Sequence, residues 1–210
     1  MTSDYIIFFR GIETTNQEAI QILLRARCPL EPNAFGVTPL ESAAAAGSLE
    51  VLELLSHGSV SSLDATQALF CVASGDRSAE VVHQLIEMRA DVNAQTGEWF
   101  KRTALMRAVY TLMVLQHRFH KATFFNNLMY HAKGATPLIL ALLSDNHLCA
   151  AALIAEGAKL NLQNSQGLTA ADLIRSRPSR PDFLMEALEG TVESCRRVSL
   201  LSRGWIEMHF

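Results

Sequence analysis

Charge is scarce in this sequence, and neither sign of charge dominates it. Asp, Glu, Lys and Arg make up 19% of the 210 residues, against roughly 25% in an average soluble domain. The formal net charge is −3. A nucleic-acid-binding protein needs a basic face to neutralise phosphates, so this balance argues against that class. The apolar content of 49% also excludes disorder as the dominant state of the chain.

Cysteine is equally rare, and its four positions lie far apart in the chain. No two of the cysteines form a Cys-x-x-Cys pair, which predicts free, buried thiols in a reducing compartment. No apolar run is long enough to span a bilayer. The first residues also lack the basic region that precedes the apolar stretch of a secretory signal. We therefore expect a cytoplasmic or nuclear protein without membrane insertion.

The motifs of catalysis are missing as well. The sequence has no Gly-rich phosphate loop, no Gly-x-Ser-x-Gly and no His-Glu-x-x-His. His117, His120 and His131 could form a metal site, but no cysteines or carboxylates cluster near them, and solvated or interhelical roles are favoured. Residues 177–181 and 196–199 (Arg-Arg-Val-Ser) match short basic sequences that protein kinases accept, although such matches are common by chance. The sequence predicts no catalytic residue, no metal and no cofactor.

A repeat is what the sequence does contain. Residues 134–138 read Gly-Ala-Thr-Pro-Leu, two apolar runs follow, and residues 156–161 read Glu-Gly-Ala-Lys-Leu-Asn. Residues 33–58 carry the same order of Asn, Gly-Val-Thr-Pro-Leu, small residues, Gly and an aliphatic run. Successive threonines at 103, 136 and 169 are spaced by 33 residues. Internal repetition at such a period predicts a stack of small structural units.

Each part of this unit has a physical reason. A Thr-Pro pair opens a helix, because the hydroxyl caps unpaired amides and Pro fits the first turn. Ala43 and Ala44 are small enough for two helices to pack closely, and Gly47 permits the positive φ that ends a helix. Leu52 and Leu55 follow at helical spacing. One such helix pair cannot bury its apolar face alone, so the units must stack.

This pattern resembles the ankyrin repeat, with specific matches at 33–58 and 134–170, a moderate match at 64–94 and weak matches elsewhere. The resemblance implies an all-α solenoid of about six helix-pair repeats with short β-hairpin fingers. The repeats are placed at residues 5–30, 31–60, 61–93, 94–133, 134–163 and 164–189. The remaining residues, 190–210, form a tail that either caps the last repeat or docks on a partner.

The resemblance also implies a function, which is protein–protein recognition without catalysis by an adaptor or scaffold. In that family the hairpin fingers and the concave helix face bind the partner. Carried over to this chain, the partner-facing positions are Phe35, Val37, Arg102, Tyr110, Lys133, Leu143 and Gln166. The finger before Thr103 adds Trp99, Phe100 and Lys101, because aromatic side chains among charges at a loop tip are typical of binding hot spots. Alternatively, Trp99 folds back against its own neighbours.

Residues 110–129 depart from the repeat and are too apolar for a thin solenoid layer. Either longer helices bury one another there, or a patch is exposed for a partner. A second candidate function is therefore a constitutive subunit of a larger multiprotein assembly. Such a subunit would be anchored by the aromatic finger, the atypical repeat at 94–133 and the tail. A metal protein or enzyme built around His117, His120 and His131 is the third candidate.

Overall fold

The computed structural model describes residues 17–25, 31–33, 36–56, 60–75, 79–97, 103–104, 107–108, 111–112, 115, 128, 130–176 and 181–202. Within these ranges the chain is helical, and one isolated β-bridge joins Gln163 to Thr169. The helices are α1 (Gln17–Arg25), α2 (Pro39–Ala46), α3 (Leu49–Ser56), α4 (Ser62–Ser74), α5 (Ala79–Glu87), α6 (Pro137–Leu143), α7 (His147–Ala155), α8 (Ala170–Ser176), α9 (Asp182–Leu188) and α10 (Glu193–Ser202).

The two Thr-Pro-Leu segments begin helices, as the sequence predicts. The Thr38 hydroxyl accepts a hydrogen bond from the Glu41 amide at 3.2 Å, and the Thr136 hydroxyl accepts one from the Ile139 amide at 3.3 Å. Proline follows each threonine at the first helical position, where the missing amide hydrogen costs nothing. Both α2 and α6 therefore start at a position that the local sequence specifies.

A glycine ends α2 and redirects the chain into α3. Gly47 has φ +74°, and its amide donates to the carbonyl groups of Ala43 and Ala44. Glycine adopts this left-handed conformation at the lowest cost, which favours the short link between the two helices. Ala43 and Ala44 are fully buried, and α2 packs against both α3 and α4.

The helices form two layers. In one layer α2 packs on α4, α4 on α6, and α6 on α8. In the other layer α1 packs on α3, α3 on α5, α5 on α7, and α7 on α9. The layers are joined within each pair, α2 with α3, α4 with α5, α6 with α7 and α8 with α9. The apolar core runs between the layers, from Ile20 in α1 to Cys195 in α10.

The last helix lies across the second layer. The helix α10 packs against α5, α7 and α9. Cys195 and Ser199, one turn apart on α10, are buried, whereas Arg196, Arg197 and Leu200 are exposed. This part of the tail therefore packs against the protein's own helices. Among the described residues, no helix has both the length and the apolar content that crossing a membrane requires.

The contacts between helices bear on the predicted repeat at 94–133. The helix α4 packs directly on α6, and α5 packs directly on α7. The helix pairs of 61–93 and 134–163 are neighbours. Residues 98–102, and most of those from 105 to 129, lie outside the described ranges.

Candidate interaction surface

A tight turn precedes α8, and asparagine shapes it. The Asn164 side-chain oxygen accepts hydrogen bonds from the amides of Gln166 and Leu168, both at 3.0 Å. The Asn164 carbonyl also accepts from the Gly167 amide at 3.0 Å. Because these amides are satisfied inside the turn, the side chains at its tip project outward. Ser165 and Gln166 are both exposed.

The turn before α2 is built in the same way. The Asn33 side chain accepts from the Val37 amide at 3.0 Å, and its carbonyl accepts from the Gly36 amide at 2.7 Å. Asparagine followed three residues later by glycine is thus a local signal for this turn, as the sequence pattern predicts. Val37 is half-buried at the end of the turn.

Neighbouring turns are joined by hydrogen bonds into one ledge. The Ser165 amide donates to the Lys133 carbonyl at 2.9 Å. The Gln95 side-chain amide donates to the Gly134 carbonyl at 3.0 Å and to the Gln163 carbonyl at 2.7 Å. We call Gln95, Lys133, Gly134, Ser165 and Gln166 the turn ledge. All of them except Gly134 are exposed, so the ledge offers polar side chains on a fixed backbone.

The close approach of two turns in the ledge requires a glycine. Gly134 has φ +68°, a conformation that L side chains rarely adopt. A Cβ atom at Gly134 would lie 2.8 Å from the Ser165 hydroxyl oxygen and 3.0 Å from the Ser165 amide nitrogen. The Asn164 side chain also donates to the His131 carbonyl at 3.0 Å. These contacts hold the turns before α6 and α8 in register.

Thr96 closes the chain on itself at the same edge. Its amide donates to the Ala135 carbonyl at 2.8 Å, and its carbonyl accepts from the Gly134 amide at 2.9 Å. Its hydroxyl accepts from the Ala135 amide at 3.1 Å and donates to the Ala132 carbonyl. Thr96 is 1% exposed. These hydrogen bonds therefore hold the chain at Thr96 next to the chain at Ala132–Ala135.

Three of the predicted partner-facing residues lie on the turns that precede helices. Lys133 and Gln166 are exposed on adjacent turns of the ledge, and Val37 lies on the separate turn before α2. The prediction for Leu143 is wrong. Leu143 lies in α6, which packs against α4, α7 and α8, and its side chain is only 1% exposed. It is therefore not accessible to a partner. The remaining predicted residues lie outside the described ranges; they are Phe35, Trp99, Phe100, Lys101, Arg102 and Tyr110.

Sequence reasoning missed a polar cluster on the opposite layer, in which His83 and Ser199 are buried and Glu156 is exposed. The His83 Nδ1 atom in α5 lies 2.9 Å from a Glu156 carboxylate oxygen at the end of α7. The His83 Nε2 atom lies 2.8 Å from the Ser199 hydroxyl of α10. His83 is 6% exposed and Ser199 is 3% exposed. We call these three residues the latch cluster, because they connect α5, α7 and α10.

The latch cluster has the connectivity of a hydrolase triad, serine to histidine to carboxylate. A nucleophile must reach its substrate, however, and Ser199 is enclosed between α10 and the helices beneath it. The arrangement satisfies both ring nitrogens of a buried histidine, which a folded protein needs in any case. One sequence signal could have located it. Ser199 lies four residues after the buried Cys195, and hence on the same helical face.

The buried thiols are poor nucleophiles and poor ligands. Burial raises the pKa of the Cys149 thiol to about 12. Burial, and then the nearby Glu186 carboxylate, raises the pKa of Cys195 to about 11. Neither forms a thiolate near neutral pH, and the thiolate is the reactive and metal-binding form. The described residues contain no group of three or more His, Cys, Asp or Glu side chains placed to hold a metal, and His117 and His120 lie outside them.

Comparison with known proteins identifies one segment of the chain. Residues 133–165 match the family model of the ankyrin repeat. The match begins on the turn ledge at Lys133, includes α6 and α7, and ends at Ser165 on the following turn. It therefore confirms the resemblance where the sequence pattern is most specific. No curated protein sequence matches the chain significantly.

Proposed function

We propose that this chain, which carries an ankyrin repeat at residues 133–165, is an adaptor or scaffold that binds a protein partner through its turn ledge. Ankyrin repeats are protein–protein interaction modules and are generally non-catalytic. The observation that carries the proposal is the hydrogen bonding between successive turns, from Gln95 to Gly134 and Gln163, and from Ser165 to Lys133.

Those bonds make the ledge a rigid recognition surface. A partner that binds mobile loops must order them, which costs binding free energy. Here the turn amides are already paired with Asn164 and Lys133, so the backbone loses little freedom on binding. The exposed ammonium group of Lys133 and the amides of Gln95 and Gln166 then contribute polar contacts that select the partner.

The proposed surface continues beyond the ledge into the aromatic finger. Trp99, Phe100, Lys101 and Arg102 follow closely after Gly97, which is exposed at the edge of the ledge. Their assignment as partner contacts rests on composition, since Trp, Tyr and Arg dominate binding hot spots. Phe35, Val37 and Tyr110 are assigned from the family resemblance, and Leu143 is withdrawn because it is buried.

The proposed architecture is a stack of ankyrin-type helix pairs that is closed at its C-terminal end by α10. The direct packing of α4 on α6 supports successive repeats at 61–93 and 134–163. The pairs α2–α3 and α8–α9 continue the two layers on either side. A terminal repeat needs a cap with a polar outer face, and α10 has Arg196 and Arg197 on its exposed side.

A site-specific crosslink tests the ledge directly. A photoreactive amino acid is placed at Gln166 on the ledge and, as a matched control, at Glu53 on the exposed side of α3. After irradiation in a native lysate, the expected result is a discrete crosslinked band from position 166 and none from position 53. Equal crosslinking at both positions, or none at position 166, would contradict the proposed binding surface.

The aromatic finger is tested by a double substitution, Trp99→Ala with Phe100→Ala. Proteins captured from a native lysate by wild type and variant are compared by mass spectrometry, and circular dichroism reports the fold. Loss of a defined partner with unchanged helicity assigns the finger to recognition. An unchanged set of partners rules the finger out. Loss of helicity shows instead that Trp99 packs within the protein.

A constitutive subunit of a larger assembly is the second candidate, and exposed apolar side chains favour it. Ile22, Leu63 and Leu112 are each more than half exposed, and they lie in different parts of the chain. Apolar surface at several places is what a subunit covered on several sides would show. Sedimentation of the purified chain separates the two functions. An adaptor stays monomeric at high concentration, whereas an isolated subunit self-associates until its partners are supplied.

A further inference from the structure

We propose that Ser199 is a phosphorylation site for a protein kinase that selects arginine before serine, and that its phosphorylation releases α10 from the helix stack. The site combines two features that no other described serine shares. Residues 196–199 read Arg-Arg-Val-Ser, and the buried serine hydroxyl belongs to the latch cluster, which connects α10 to α5.

The two arginines provide the recognition. Arg196 and Arg197 are exposed on the outer face of α10. Arg196 lies 3.6 Å from Glu193 across one turn, an exposed pair that contributes little stability and is easily exchanged. A kinase whose substrate groove carries carboxylates can bind both guanidinium groups through charge-assisted hydrogen bonds. The two guanidinium groups that such a kinase would recognise are therefore accessible on the surface.

The hydroxyl itself is enclosed, so α10 must open before the reaction. Ser199 is 3% exposed and lies 2.8 Å from His83 Nε2. Kinases act on extended segments whose hydroxyl is accessible to bound nucleotide. The helix α10 packs on α5, α7 and α9 from one side only and presents its other face to solvent. A single helix packed on the outside of a helix stack opens at a lower cost than the whole molecule unfolds.

Phosphorylation of Ser199 adds volume and negative charge to an enclosed site. The Ser199 oxygen forms a bond to the γ-phosphorus of ATP, the bond from that phosphorus to ADP breaks, and the hydroxyl proton is released. The product carries a charge of about −1.5 to −2 and three further oxygens. Ser199 is buried between α10 and the helices beneath it, so a phosphate group there would overpack that contact. The Glu156 carboxylate, 2.9 Å from His83, also opposes a second anion there.

Opening of α10 has a residue-specific reporter. Cys195 is fully buried on the same face as Ser199, and its thiol donates to the Phe183 carbonyl at 3.2 Å. Cys149 is fully buried in α7, against which α10 packs. Release of α10 therefore exposes Cys195 to an alkylating reagent. The rate of alkylation, measured by peptide mass spectrometry, reports the release without any knowledge of the partner.

The first arm of the experiment tests the site. The full chain, a peptide of residues 193–202 and the full-length Arg196→Gln/Arg197→Gln variant are each incubated with ATP and a kinase that prefers Arg-Arg-x-Ser. We expect phosphate on Ser199 of the full chain, at a rate at least ~10-fold below that of the peptide, because only the open fraction reacts. The double variant should not react at Ser199. A full chain that stays unphosphorylated while the peptide reacts completely overturns the proposal.

The second arm tests the release. We expect alkylation of Cys195 to be at least ~10-fold faster in the phosphorylated chain, since its protection depends on local opening. Ser199→Glu should act in the same direction, whereas Leu200→Glu, which adds the same charge on the exposed face, should leave the rate unchanged. Hydrogen exchange of α2 and α4 checks that the stack stays folded. A phosphorylated chain that still protects Cys195 would show that α10 is not released.

Discussion

The helices α2 and α6 begin alike, yet they occupy different environments. Each follows a threonine cap and has proline at its first position. All seven residues of α6 are buried, whereas Ala45 of α2 is exposed and Ser42 and Ala46 are half-buried. The helix α6 packs between α4 and α8 in its layer, while α2 packs on α4 alone among the described helices of that layer. Neighbouring helices, and not the shared opening sequence, decide how deeply each helix is buried.

The links that follow the two helices differ as well. The helix α2 ends at Gly47, and Ser48 begins the next helix. After α6 the corresponding positions are Asp145, with φ +54°, and Asn146. Asn146 caps α7 and also donates to the Gly75 carbonyl at 2.7 Å. The α6–α7 link therefore contributes a bond between repeats in addition to its turn.

The largest expected effect concerns the core. Leu138 of α6 is 0% exposed and Leu40 of α2 is 7% exposed. Leu138→Ala should lower the free energy of unfolding by about 4 kcal/mol, and Leu40→Ala by about 2–3 kcal/mol, since a fully enclosed site cannot collapse around the cavity. Chemical denaturation of both variants measures the difference. A larger loss for Leu40→Ala would contradict the comparison of the two helices.

The next largest loss of stability is expected at the N-terminal caps of α3 and α7, the second helix of each pair. Asn146→Ala should cost about 2–3 kcal/mol, because it removes the bond to the Cys149 amide at 3.1 Å and leaves the Gly75 carbonyl unpaired. Ser48→Ala is the matched control, since Ser48 caps Val51 at 3.4 Å; its loss should be about 1 kcal/mol. Equal losses in urea denaturation would show that the Gly75 bond contributes nothing.

These local features could be predicted from the sequence, whereas the long-range ones could not. The Thr-Pro caps and the Asn33 and Asn164 turns involve residues within four positions of one another, so their patterns are visible in the chain. The hydrogen bonds from Thr96 to Gly134 and Ala135 join residues 38 and 39 positions apart, and no local pattern predicts them.

The surface positions show the same limit. Leu143 occupies a position that faces partners in the family, but the helices packed around α6 bury it here. The latch cluster joins His83 to residues 73 and 116 positions away, Glu156 and Ser199. No spacing rule connects residues on α5, α7 and α10, because only the stacking of the layers brings them together.

The turns before α6 and α8 can be compared through their glycines, Gly134 and Gly167. Gly134→Ala, before α6, should cost about 2 kcal/mol, because it combines a left-handed conformation with a close contact to Ser165. Gly167→Ala, before α8, meets no atom within 4 Å and should cost about 1 kcal/mol, for the conformation alone. Thermal unfolding of the two variants measures both losses. Equal losses would mean that Ser165 moves aside and that the ledge is less rigid than proposed.

The smallest effect concerns the start of α8, where Ala170 follows the threonine in place of proline and the exposed carboxylate of Asp172 contacts Thr169. The Asp172 carboxylate accepts from the Thr169 hydroxyl at 2.6 Å and from the Thr169 amide at 3.0 Å. These bonds, the hydroxyl first, hold the pKa of Asp172 below its ordinary value. A lowered pKa in the folded state means that the contribution to stability is present above the ordinary pKa and is lost as the pH falls through the lowered one. Titration of the Asp172 carboxyl by NMR should show the low pKa, and Thr169→Ala should raise it. Because the group is fully exposed, the change in unfolding free energy should be close to the detection limit. A large acid-dependent loss of stability in wild type that is absent from Asp172→Asn would contradict this account.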